Sequence, residues 1–87
     1  MTPAFSATAR RARILRATRT TALTLSEIVR RTRPRQPFDA RDDSLQRLKT
    51  TSAIRALKAD RLMTRTRDGW SATPEGVRVL AQLEARN

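Results

Sequence analysis

Eighty-seven residues at 9.9 kDa make one folded unit at most, because domains typically run to roughly 100–150 residues. Lys and Arg total 19 against 8 for Asp and Glu, a net charge of +11, and the chain has no His and no Cys. These counts exclude a disulfide framework, thiolate or imidazole metal ligands, a Cys nucleophile and a His general base, while favouring polyanionic partners.

Thr2-Pro3 is a helix start, with Thr free to cap and Pro tolerated in the first turn. A first helix is expected over about 3–18. Phe5, Ala12, Ile14 and Leu15 form its narrow apolar stripe, and Arg10, Arg11 and Arg13 are assigned to its solvent face. β-Branched residues at 18–21 weaken helicity and end it. Thr24-Leu25-Ser26-Glu27 reads as a capping box opening a second helix over about 25–33, with Leu25, Ile28 and Val29 apolar. Arg30, Arg31 and Arg33 crowd its last turn, where cations suit the helix dipole. Pro34 and Pro37 stop it, and residues 34–43 form a loop anchored by Phe38.

Asp43-Ser44 caps a third helical region over about 44–61. At about 100° per residue, Leu45 and Leu48 face one way while Ile54 and Leu57 face nearly the opposite way. Either one helix is buried on two sides, or the chain bends near Lys49-Thr50-Thr51 and a threonine caps a fresh helix. The bend is the favoured reading. Thr64-Arg65-Thr66-Arg67 followed by Asp68-Gly69 and Trp70 is a hairpin signal, giving a wing over 62–73. Thr73-Pro74 then caps a last helix over about 74–86, with Val77, Leu80 and Leu83 at helical spacing. The expected fold class is mainly α with a small β-hairpin wing, in the order helix, helix, helix, hairpin, helix.

Charge is uneven. Residues 1–35 carry nine Arg and one Glu, whereas residues 36–87 carry ten basic and seven acidic residues. Seventeen of the 19 basic residues are Arg; a GC-rich genome accounts for Arg over Lys but not for the shortage of acids. No run approaches the roughly 20 apolar residues that span a bilayer, and no apolar segment follows Met1 as in a secretory signal. The acid-poor start also has the composition of a transit peptide, but a folded helix accounts for it. A cytoplasmic location is expected, at the nucleoid if the host is bacterial.

Three segments carry a resemblance. They are Ile14-Leu15 through Thr24-Leu25-Ser26-Glu27-Ile28, Ala53-Ile54-Arg55-Ala56-Leu57-Lys58-Ala59-Asp60-Arg61-Leu62-Met63, and Asp68-Gly69-Trp70-Ser71-Ala72-Thr73-Pro74-Glu75-Gly76. Together they resemble the winged helix-turn-helix superfamily, nearest to MarR/PadR-like bacterial DNA-binding domains, over roughly Arg10 to Ala85. The family's third helix ends in a Leu-x-x-x-Gly-Leu turn and its next helix begins Leu-Thr-x-x-Gly. Leu57 to Leu62 and Ala72 to Gly76 correspond here. Arg61 stands where the family usually has Gly, so a left-handed position there is strained or the turn differs. The segment between helices 2 and 3 is longer than a tight turn and is broken by proline.

The resemblance implies a recognition helix in the major groove and a wing on backbone or minor groove. The residues assigned to DNA are Lys49, Thr50, Thr51, Ser52 and Arg55 on helix 3, Arg65 and Arg67 on the wing, and Arg30, Arg31, Arg33 and Arg35 beside them. Hydroxyls allow close approach, and Arg and Lys reach base acceptors or phosphates. Trp70 is read as an anchor for the wing, and with so few aromatics single-strand binding by stacking is not expected. Val77, Val79, Leu80 and Leu83 form a candidate homodimer surface.

The leading expectation is a sequence-specific regulator of double-stranded DNA. Its alternatives are a winged-helix adaptor on a polymerase, nuclease or ribosome, and a sequence-blind DNA compactor. Asp39, Asp42 and Asp43 could hold a nuclease metal, but acids before a helix are accounted for by the dipole. No enzyme, cofactor, membrane partner or small-molecule ligand is expected.

Overall fold

A computed structural model describes residues 7–32 and 40–85, with the backbone alone for Ala7 and residues 40–43. The described elements are α1 (Ala7–Ala17), α2 (Leu25–Thr32), α3 (Ala40–Ala59), β1 (Met63–Thr66), β2 (Gly69–Ala72) and α4 (Pro74–Ala85). Four helices with a two-stranded antiparallel hairpin before the last is a layout compatible with a winged helix. The Thr2-Pro3 start, Phe5, Pro34, Pro37 and the Phe38 anchor lie outside the described residues.

The core is built where apolar faces of all four helices meet. Ile14 and Leu15 of α1, Ile28 of α2, Ile54 and Leu57 of α3 and Leu80 of α4 form one buried cluster with Leu23 and Met63. α1 is central and packs on each of the other three helices. Its end is sealed by Thr18, whose hydroxyl donates to the Ile14 carbonyl at 2.8 Å. Arg13 reaches across to α2, where its Nε donates to the Thr32 carbonyl at 3.0 Å. A cation suits that helix terminus.

α3 differs from the sequence expectation. It is one uninterrupted helix of 20 residues, with no bend at Lys49-Thr50-Thr51, and it opens at Ala40 rather than at Asp43-Ser44. The reason is which face it buries. Gln46, Thr50, Ile54 and Leu57 are buried and follow one helical stripe, while Leu45 and Leu48 are 45% and 67% exposed. The stripe is half polar, so hydrophobic spacing alone assigned the first two turns to the wrong side. Neither threonine caps a helix. Thr50 is enclosed, and the Thr51 hydroxyl donates back to the Arg47 carbonyl at 2.8 Å.

Arg10 is a second correction: it is 4% exposed rather than on a solvent face. Its Nη1 donates to the Thr50 hydroxyl at a long 3.4 Å, and its Nη2 has no hydrogen-bond partner among the described residues. Burial pulls the Arg10 guanidinium below its ordinary pKa.

α3 ends as the Leu57-to-Leu62 pattern implies. The Leu62 amide donates to the Leu57 carbonyl at 2.8 Å and the Arg61 amide to the Lys58 carbonyl at 3.0 Å. These are the two bonds of a Schellman turn, which needs a left-handed residue at the Arg61 position. Arg61 takes that conformation, with φ 63°. The turn is therefore a Schellman turn closed by a residue that is not Gly. Thr73 locks the same corner. Its hydroxyl donates to the Arg61 carbonyl at 2.7 Å and accepts from the Gly76 amide at 3.1 Å, capping α4. A Cβ on Gly76 would collide with the Leu62 carbonyl oxygen, so close packing of α4 on this turn requires glycine.

The hairpin pairs Met63 with Ala72 and Thr66 with Gly69, leaving Arg67 and Asp68 as the turn residues. The expected Asp68-Gly69 signal marks the right place, but the positive φ falls only on Gly69, at 129°. The connector between α1 and α2 joins the hairpin as a third, single-residue strand. Leu23 donates to the Trp70 carbonyl at 2.9 Å and accepts from the Trp70 amide at 2.7 Å. A Cβ on Gly69 would strike the Leu23 backbone, so this close approach is also a reason for glycine.

Candidate nucleic-acid interface

The hairpin folds toward the C-terminal half of α3 and leaves a groove of about 590 Å³ between them. Thr51, Arg55 and Lys58 come from α3, where spacings of four and three residues place them on one flank. Arg65, Arg67 and Trp70 come from the hairpin, and Thr24 and Leu25 from the start of α2. Four cations and one acid, Asp68, therefore line a single cleft. Arg55, Lys58, Arg65 and Arg67 form no ion pair among the described residues.

Trp70 organises the cleft. It is half-buried against the core cluster, in keeping with an anchoring role. Its ring lies 5.9 Å from the Arg65 guanidinium and 5.7 Å from the Lys58 ammonium. The negative face of the indole draws both cations toward one wall of the groove.

The opposite flank of α3 forms a second groove, of about 440 Å³, against α1. Arg10, Arg11, Leu48, Lys49, Ser52, Ala53 and Ala56 line it. Arg11 and Lys49 are exposed there and form no ion pair among the described residues. The residues assigned to DNA thus divide into groups. Thr51, Arg55, Arg65 and Arg67 share the wing groove, while Lys49 and Ser52 lie across the helix. Thr50 is 1% exposed and offers no contact to anything outside the domain.

Arg30 and Arg31 line neither groove. Both hold the Glu27 carboxylate, at 2.6 Å and 3.4 Å, and their hydrogen bonds, Arg30's first, keep that carboxyl below the usual carboxylate range. The capping box is accordingly half formed: the Glu27 amide donates to the Thr24 hydroxyl at 3.3 Å, while the Glu27 side chain turns to the arginines. Arg33, Arg35 and Asp39 lie outside the described residues, as do the side chains of Asp42 and Asp43. In the dimer stripe, Leu80 belongs to the core at 1% exposure, which removes it from any external surface; Val79 packs on the core, and Val77 and Leu83 are half-buried.

Lys58, Thr24 and Leu25 were not among the sequence-assigned contacts. Lys58 follows Arg55 by three residues on the same flank, a spacing legible in the sequence whether or not α3 bends before them. Thr24 and Leu25 required the Leu23–Trp70 pairing, which no local pattern signals. Comparison with known proteins finds no matching family model, no matching curated protein and no matching solved structure. No helix among the described residues is long and apolar enough to cross a membrane.

Proposed function

We propose that this chain is a winged helix-turn-helix domain that binds double-stranded DNA in a sequence-specific, regulatory role, with α3 in the major groove and the hairpin on the adjoining backbone or minor groove. The observation that carries this reading is the convergence of Arg55, Lys58, Arg65 and Arg67 on one cleft without carboxylate partners among the described residues. Cations that converge without a carboxylate to neutralise them are suited to an external polyanion. Thr51 supplies a short hydroxyl beside Arg55, which allows close approach to base edges or phosphates.

α3 would enter the groove with its middle turns, since Thr51 and Arg55 lie more than two turns inside a helix that begins at Ala40. Binding to a random-sequence duplex measured across salt concentrations tests the electrostatic part. About six engaged phosphates give a slope of log K against log salt near −5. Replacing Arg55, Arg65 or Arg67 by Ala makes the slope shallower by about 1 each, whereas Arg78→Ala, whose partner is Glu75, leaves it unchanged. Binding that ignores salt defeats the proposal. Selection from a duplex library with a randomised centre tests specificity: an enriched motif supports a regulator, and enrichment without one indicates a compactor.

A further inference from the structure

The crest of α3 between the two grooves has an unexpected composition. Leu48, Ser52, Arg55 and Ala59 are all exposed and recur at spacings of four, three and four residues, the outward line of one helix. Leu48 is the more exposed of the two large exposed hydrophobic residues among those described, at 67%. Among the described residues it is not part of the core cluster.

Its surroundings select an occupant. Lys49 and Arg11 stand on one side of the crest, Lys58, Arg65 and Arg67 on the other, and Arg55 on the crest itself at the edge of the wing groove. The matching surface therefore has two negative ridges and, on the floor between them, an apolar spot for Leu48 and a hydrogen-bond acceptor for Arg55. A second copy of this chain is disfavoured, because pairing two crests would bring these cations face to face. The major groove of DNA has the required form: it is about 12 Å wide, its phosphate backbones are its walls, and its floor displays the C5-methyl group of every thymine. Duplex RNA does not, since uracil lacks that methyl and the A-form major groove is too deep and narrow to read.

We infer that Leu48 is a specificity-determining residue that reads a thymine methyl, in register with a guanine read by Arg55. This rests on the DNA-binding reading above and adds the base chemistry. Seven residues of helix separate the two side chains, about 10 Å along the axis, or about three base-pair steps. Arg is the common bidentate partner of guanine O6 and N7, and apolar side chains are the common partners of the thymine methyl. Ser52, between them, is small enough not to hold the helix away.

The test uses the full chain and the duplex most enriched from a library with a randomised centre. Each thymine of that duplex is replaced in turn by deoxyuridine, which deletes one methyl and leaves the pairing unchanged. The expected result is one position at which the wild-type chain loses about fourfold in affinity, the effect of one buried methyl-sized group. Leu48→Ala and Leu48→Gln should abolish the difference between thymine and deoxyuridine there, and Arg55→Ala should relax the choice of guanine about three steps away. Thermal melts of the Leu48 variants matching wild type show that the fold is intact. Salt-dependent binding in which no deoxyuridine substitution matters, or in which the Leu48 variants keep the discrimination, overturns the inference while leaving DNA binding in place. Failure to retain any duplex overturns both.

Discussion

Arg61 shows how much a single backbone conformation can settle. The Schellman turn closing α3 demands a left-handed residue, and Arg61 supplies one at φ 63° although its Cβ is crowded there by roughly 1–2 kcal/mol. Arg61→Gly relieves that crowding at a smaller entropic cost in the unfolded chain, so the variant is expected to be more stable by about 0.5–1 kcal/mol. The bond from the Thr73 hydroxyl survives, because its acceptor is the Arg61 carbonyl. Calorimetric melting checks this; a lower melting temperature for Arg61→Gly means the arginine side chain contributes something the geometry does not reveal. The resemblance marked this position but left a strained left-handed residue and a different turn both open; the structure takes the first, through bonds that span only five residues. Arg10 was not legible in the sequence. Its burial depends on Thr50, 40 residues away, and a charged residue on an amphipathic helix is ordinarily assigned to solvent.

At the level of elements, the local signals were sound and the long-range ones were incomplete. Thr24 and Thr73 do cap α2 and α4, and Asp68-Gly69 marks the hairpin, since each depends on neighbours in sequence. α3 was misread because its first half buries Gln46 and Thr50 and exposes Leu45 and Leu48. Stability measurements discriminate the two orientations directly. Ile54→Ala should cost about 2–5 kcal/mol by opening a cavity among Ile14, Ile28 and Leu57. Leu45→Ala should change stability by no more than about 0.5 kcal/mol, as an exposed substitution does. Comparable losses for both variants would restore the bent helix with leucines facing inward. The bend does not account for missing Lys58, because Arg55 and Lys58 fall in one helix in either reading; what was missing was the placement of the hairpin against that flank.

For the whole molecule the governing quantity is its charge of +11 on 87 residues. The described ion pairs, Arg16 with Glu84, Arg30 and Arg31 with Glu27, and Arg78 with Glu75, all involve exposed groups at the surface, where such pairs contribute little. The remaining cations repel one another, and a folded domain concentrates that repulsion. Melting temperature should therefore rise as salt is added from low ionic strength, because at 0.1 M salt largely screens repulsion between exposed charges more than roughly 10 Å apart. At low salt a duplex should raise it further, since a ligand favouring the folded state stabilises by mass action. A melting temperature that falls with salt would mean the exposed ion pairs outweigh the repulsion.

The Leu23–Trp70 clasp has a mechanical consequence. The ribbon is fastened at its base to the end of α3 and at its flank to the connector between α1 and α2. Residues 19–22 act as the length of one tether. Inserting or deleting a residue there would leave every groove side chain in place chemically, yet change the span between Arg67 and Arg55, much as adjusting one stay re-angles a mast.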